Sequence, residues 1–317
     1  MTGSISPRKS RDPDRSRGLY QAAETRGFEP PKDLTPYLIS SEAHSTGLCD
    51  VSNVQARESY RAHFGLVYTT LAIDCGGGGI KGCVLDEQGT MRAQPIRVPT
   101  PYPLSPVLFI QTLTALAKQL PKADRATIGL PGMIRHGVVI TTPHYVTKSG
   151  PRSRVLPELV EQWEGFDART ALTTALGIPC KVLNDAEVHA AGVITGQGLE
   201  VVLTLGTGLG FALFDGGRLA PHLELSQIPA KPGVVFDNYI GEPERRRLGD
   251  ALWSRRVVRL VDSLRPVFLW DRLFVGGGNS RHLTPPSLAR LGDETVIVPN
   301  GAALIGGARI WLLDANK

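Results

Sequence analysis

Leu71-Ala-Ile-Asp-Cys-Gly-Gly-Gly-Gly-Ile-Lys-Gly-Cys-Val-Leu85 sets an acidic residue at the end of an apolar run, a cysteine and four glycines behind it, and a lysine just inside the β-type stretch that resumes at Ile80. Gly76, Gly77, Gly78 and Gly79 can take backbone angles closed to other residues, and they carry no Cβ to hold an anion away from the amide N–H groups. Lys81 adds positive charge. The order is neither that of a P-loop nor that of a dinucleotide-binding turn, because Ile80, Cys83, Val84 and Leu85 start a second strand at once. Strand, tight turn, strand is therefore the reading, with phosphate as the implied guest. Asp74 at the end of the first strand suits a metal–phosphate complex held through water, as a hard cation that keeps part of its hydration shell prefers. The plain alternative is a glycine-rich turn with no ligand.

Two further glycine turns follow apolar runs. Val201 to Leu205 leads into Gly206, Thr207 and Gly208, then Phe211 to Phe214, which repeats strand, turn, strand. Leu273 to Val275 ends in Gly276, Gly277, Gly278 and Asn279, a backbone-lined seat suited to a base or ribose. Two glycine hairpins can face one another across a cleft.

In order, Asp74 to Lys81, Gly129 to Gly132, Leu183-Asn-Asp185, Leu203 to Gly210, Leu223-Glu-Leu225 and Gly276 to Asn279 resemble the ROK family of sugar kinases and sugar-responsive repressors, and within it the bacterial polyphosphate glucokinases. The likeness runs from about residue 66 onward. It implies an α/β, actin-like (ribonuclease-H-like) fold with two α/β lobes around a cleft. One lobe would span 66–183 and be completed by a closing helix within 303–317, and the other would span 184–302. It also implies a homodimer. Residues 1–65 fall outside the likeness and read as an extension, disordered at least in part. Five basic residues from Arg8 to Arg17 stand there against Asp12 and Asp14 in a Ser-, Pro- and Gly-containing stretch.

Composition suits a two-lobed enzyme of 317 residues, 42% hydrophobic and 21% charged, with net charge +5. No apolar run approaches the roughly 18 residues that a membrane-spanning helix needs, and the N-terminus has no hydrophobic signal segment, so a cytoplasmic protein is expected. Cys49, Cys75, Cys83 and Cys180 lack C-x-x-C spacing, which points to reduced thiols and no zinc site. Many ROK proteins carry a cysteine-rich zinc motif after the sugar-binding glutamate; this chain does not.

Periodicity predicts strands at 68–73, 82–85, 91–98, 126–130, 138–142 and 181–183, and helices at 106–120, 156–163, 167–176, 186–193, within 245–268, and at 301–313. The strand ending at Leu183 delivers Asn184 and Asp185 to its tip. Phosphoryl transfer to a sugar hydroxyl needs a group to accept the hydroxyl proton, while a metal and backbone donors spread the charge of the moving phosphoryl. By resemblance Asp185 is that general base and Asn184 orients the sugar; as isolated residues both are also good helix N-caps. Glu224 matches the family's sugar-gripping glutamate, and a carboxylate can accept from two adjacent hydroxyls. Gly132 lies, in the family, in the turn beside the sugar.

The departures lie at the sugar end. Relatives carry a histidine three residues after the glutamate, where this chain has Gln227, and an asparagine near the position of His144, which could replace that contact. Arg245, Arg246, Arg247, Arg255, Arg256 and Arg259 offer a basic track for a polyanionic donor, or simply a solvated helix surface. The expectation is a hexose kinase, glucose foremost, with Mg²⁺ near Asp74 and ATP or polyphosphate as donor. A non-catalytic sugar- or nucleotide-binding protein stays open. A DNA-binding regulator fits poorly, because Pro7, Pro13, Pro30, Pro31 and Pro36 interrupt the N-terminal segment where a helix-turn-helix would sit, and nucleic acid is not an expected partner.

Overall fold

The computed structural model describes residues 68–298 and 302–314. The expectations for 1–65, Gly301 and 315–317 lie outside the described residues. The chain first forms β1 (Thr70–Gly76), β2 (Gly79–Leu85), β3 (Ile96–Val98), α1 (Pro106–Ala117), β4 (Arg125–Leu130), β5 (Met133–Arg135), β6 (Val138–Thr141), α2 (Pro157–Trp163), α3 (Ala168–Leu176) and β7 (Cys180–Asn184). It continues as α4 (Asp185–Ala191), β8 (Leu199–Leu205), β9 (Leu209–Asp215), β10 (Arg218–Leu219), β11 (Pro229–Lys231), β12 (Val234–Val235), α5 (Phe236–Ile240), α6 (Glu242–Leu248), α7 (Asp250–Phe268), β13 (Arg272–Gly276), α8 (Pro285–Leu288), β14 (Thr295–Ile297) and α9 (Ala302–Asp314).

Two five-stranded sheets result, ordered β3-β2-β1-β4-β7 and β10-β9-β8-β13-β14. In each, the first three strands in sequence are an antiparallel meander and the last two add in parallel beside the first. The mixed α/β, two-lobed expectation is met. β4 shows why the central strands are secure: all six of its residues are buried, as a parallel strand covered on both faces requires.

Helix α1 starts where Ser105 caps Leu108 N–H at 3.2 Å and Pro106 presets the first turn. It buries Phe109, Leu113 and Leu116 against the first sheet. It stops at Ala117, short of the expected Leu120, because Pro121 disfavours helical angles just before it; the chain closes with short bonds from Gln119 to Leu116 and Leu120 to Ala117. The strand expected over 91–98 is only Ile96–Val98, since a bend at Arg92–Ala93 and then Pro95 interrupt it, leaving Met91 one isolated bridge to Leu85. Phe109, Tyr145, Trp163 and Phe166 form an aromatic cluster with centroids 5.3–5.8 Å apart. Phe109→Ala there would cost about 3–5 kcal/mol. Helix α9 packs Leu304 and Ala308 onto Ala72, Cys83 and Leu85 of the first sheet and Ile310 into the apolar cluster under the second.

Candidate active site

The first glycine turn links β1 to β2. Its carbonyls are tied from behind: Thr100 Oγ1 donates to Gly76 O at 2.7 Å and Tyr102 Oη to Gly77 O at 2.8 Å. Among the described residues no acceptor meets the N–H of Gly77 or Gly78, so these donors remain available to a ligand. The Pro151 ring and His144 pack over Gly77, and the Arg97 guanidinium lies against Gly79. Asp74 pairs across the hairpin with Lys81, which in turn pairs with Arg97 on β3. Burial pushes the Asp74 carboxyl up, and Lys81 and Arg97 pull it back.

The second turn, between β8 and β9, is held in the same manner. Asn279 Nδ2 donates to Gly206 O at 2.9 Å, Glu242 N–H donates to Thr207 O at 3.2 Å, and the N–H groups of Thr207 and Gly208 find no acceptor among the described residues. The Asp237 carboxylate sits beside Gly208 and accepts from Leu209 N at 3.0 Å. The third cluster folds onto this turn. Gly277, at φ +84, brings its backbone so close to Leu205 that any Cβ would collide with it, and Asn279 N donates to Leu205 O at 2.9 Å. The Asn279 side chain thus fastens the second turn. His144 is half-buried, between Gly77 on one side and the charges of Asp237 and Arg152; burial lowers its pKa and Asp237 opposes that.

Asp185 opens helix α4, where the chain crosses from the first sheet to the second. Asn184 caps the helix, its Oδ1 accepting from Ala186 N at 2.8 Å, and Glu187 completes a capping box by accepting from Asn184 N at 3.0 Å. Asn184 Nδ2 donates to Gly132 O at 2.8 Å. Gly132 itself stands at φ +118 with the Thr141 carbonyl where a Cβ would be, a position open only to glycine. Burial, then the charges of Asp74 and Glu224, push Asp185 up to about 7, against the bond from Ala186 N. Asp74, Asp185 and Glu224 therefore converge, and Asn184 and Gly132 are tied to the same spot. The Tyr145 hydroxyl shares this interior with the Cys75 thiol, and burial raises both.

Glu224 Oε1 accepts from Ser226 Oγ at 2.6 Å, and Oε2 lies 3.4 Å from His222 Nε2. His222 Nδ1 is 3.1 Å from Glu187 Oε1. Gln227 is exposed and donates to Ser226 Oγ at 3.1 Å. Burial works against charge on His222, but Glu187 and Glu224 outweigh it and lift it to about 9.

Of the six arginines that offer either a basic track or a solvated helix surface, four are ion-paired. Arg245 is paired with Glu242 and Asp250, Arg246 with Glu242, Arg247 with Glu244, and Arg256 with Glu244, leaving Arg255 and Arg259 exposed on the outer face of α7. The arginine beside the first glycine turn is Arg97. Neither it nor Thr100, Tyr102, Glu187, His222 and Asp237 was singled out from sequence. Only Glu187 carried a readable signal, as the acidic third residue after a capping Asn184. Among the described residues no three His, Cys, Asp or Glu side chains cluster to enclose a metal. Cys75, Cys83 and Cys180 are buried free thiols, and Cys49 lies outside the described residues.

The sequence profile of the ROK family matches residues 70–221. The polyphosphate glucokinase of Mycobacterium tuberculosis is 28% identical over 259 residues, covering 77% of this chain and 91% of that protein. Among solved structures, the inorganic polyphosphate/ATP-glucomannokinase of Arthrobacter sp. strain KM superposes with a TM-score of 0.63 at 28% identity, over 78% of this chain and all but 1% of its own, 99% being covered. A ROK family glucokinase from Streptomyces griseus, solved with glucose and AMPPNP, has a TM-score of 0.59 at 19% identity, over 76% of this chain and 98% of its own; it shares the fold.

Proposed function

We propose, from the premise that this chain belongs to the ROK family, that it is a kinase transferring a phosphoryl group from ATP or polyphosphate to a hexose hydroxyl, glucose foremost. The observation that carries the reading is Asp185: a carboxyl at the start of the helix joining the two sheets, lifted to about 7 by burial and by Asp74 and Glu224. A general base works best with a pKa near the working pH, and this one is poised there. In the proposed reaction Glu224 and Asn184 hold the hexose, and Asp185 accepts the proton of the attacking hydroxyl. The free N–H groups of Gly77, Gly78, Thr207 and Gly208 receive donor phosphates, with Lys81 and Arg97 adding charge at the first turn. Gly276 to Asn279 would back a nucleoside when the donor has one.

The residues present fit Mg²⁺ rather than a protein-enclosed metal. Asp74 stands beside the first glycine turn within reach of the Asp185 charge, no three His, Cys, Asp or Glu side chains among the described residues enclose a metal, and Mg²⁺ prefers one or two carboxylates plus phosphate oxygens and water. Bound there, it would neutralise charge between donor phosphates. Two separate apolar cores, within 71–182 and within 201–291, support lobes divided at about residue 184, with α9 returning to the first. No helix among the described residues is long and apolar enough to cross a membrane. A cytoplasmic location and a homodimer are part of the proposal, the homodimer resting on the family resemblance alone.

The test is a coupled turnover assay across a hexose panel, run with ATP·Mg²⁺ and with polyphosphate·Mg²⁺. Turnover of glucose with at least one donor is expected. Hexose binding without turnover by either donor would replace this reading with that of a non-catalytic sugar-binding protein.

A further inference from the structure

We propose that His222 is a positioning residue for the acceptor sugar, a buried imidazolium that fixes the Glu224 carboxylate from behind and locks it to the helix that carries Asp185. The inference rests on the kinase reading above. The His222 side chain is 3% exposed, that of Glu187 4% and that of Glu224 25%, so the histidine and one carboxylate are out of water while the other faces the cleft. Two carboxylates flank one ring, Glu187 on Nδ1 at 3.1 Å and Glu224 on Nε2 at 3.4 Å. A neutral imidazole has a single N–H and can serve only one of them; the cation serves both. A buried carboxylate left without its partner is costly, which holds the ring in its charged form.

The other ends of this chain of contacts give it a purpose. Glu187 is already committed through Oε2 to Asn184 N, at 3.0 Å, one residue before Asp185. Glu224 is held on Oε1 by Ser226, at 2.6 Å, so its remaining lone pairs point in a fixed direction. Gln227 is exposed and reaches only Ser226, and does not supply a cation to Glu224. His222 does so from the opposite side. The groups facing the ring are the carboxyl groups of Glu187 from α4 and Glu224 from its own loop. When the ring loses its proton, its one N–H stays with Glu187, the more deeply buried and closer carboxyl, so the longer contact to Glu224 is the one released and the sugar grip loosens.

The experiment compares wild type and His222→Gln in hexose KM, donor KM and kcat from pH 6.5 to 10, with calorimetric hexose binding in the absence of donor. At pH 8 the variant should raise hexose KM and Kd about tenfold or more, with donor KM unchanged and kcat lowered far less. Wild-type hexose KM should be flat below about pH 8.5 and rise up to about tenfold per unit above pH 9, and this limb should vanish in the variant. Equal hexose Kd in wild type and variant overturns the proposal, as does a wild-type KM flat to pH 10 with circular dichroism unchanged. Equal rises in both KM values and a matching fall in kcat would mark a merely structural role and also overturn it. Should the variant fail to fold, the wild-type profile decides alone. Hexose binding without turnover would sink the kinase reading only, since Kd still reports on His222; no hexose binding by wild type overturns the inference outright.

Discussion

The two glycine hairpins are built alike and charged differently. Each joins the first two strands of a sheet with the same strand order, and in each the turn carbonyls are tied from behind while the amide N–H groups stay open. Around the first turn stand Lys81 and Arg97; beside the second stands the Asp237 carboxylate, while Glu242 is already paired with Arg245 and Arg246. Backbone geometry thus repeats with topology, while charge is supplied by whichever neighbouring segments fold over each turn. An anionic donor should place its greatest charge density at the first turn, the one with cations beside it.

The largest expected effect lies between the hairpins. Asp185→Asn should lower kcat by at least about a hundredfold with little change in hexose KM, and near-normal turnover by the folded variant would remove Asp185 from the chemistry. Because the folded protein raises this carboxyl to about 7, its ionised form is disfavoured in the native state, and the stability it withholds grows as pH rises from about 4 to 7. The same variant should therefore melt about 2–4 °C higher at pH 8 by calorimetry, and not at pH 4. Next comes Lys81→Ala, which should raise donor KM about tenfold or more, whereas the Arg255→Ala, Arg259→Ala pair should change it less than about twofold for either donor. The reverse ranking would break the charge contrast and restore the arginine helix as the donor track. A third expectation concerns pH. In the substrate-free enzyme kcat/KM for hexose should fall below about pH 7, following protonation of Asp185, and a profile flat to pH 5 would contradict that assignment. Among the variants expected to change a rate or affinity, the smallest effect is that of Gln227→His, a change of a few fold in glucose KM, since the side chain reaches Glu224 through Ser226.

What could be read from sequence was whatever the backbone itself records. Four glycines after Asp74, and Gly206 with Gly208, announce turns because no other residue leaves the amides so open, and the six motifs in order carried the fold. Charge pairing was less legible for two different reasons. Arg245, Arg246 and Arg247 sit three or four residues from Glu242 and Glu244, a spacing that already implied helix-face pairs and that composition alone obscured. His222 and Glu187 are 35 positions apart, and no local pattern shows that a loop will bring them together. Arg97 likewise becomes a neighbour of the glycine turn only through the pairing of β3 with β2.

The path of α9 bears on how the molecule is made. Thr127 Oγ1 in the first sheet donates to Gly307 O and accepts from Trp311 Nε1, groups 180 and 184 positions downstream. During synthesis at roughly 5–20 residues per second, the first lobe therefore leaves the ribosome many seconds before its covering helix exists. Until then Ala72, Cys83 and Leu85 present bare apolar surface, and the lobe begun first waits as long as the second for the helix that packs on both. A premature stop or a stalled ribosome within α9 would thus injure the N-terminal half of the enzyme, and nascent chains of that length are where chaperone dependence should concentrate.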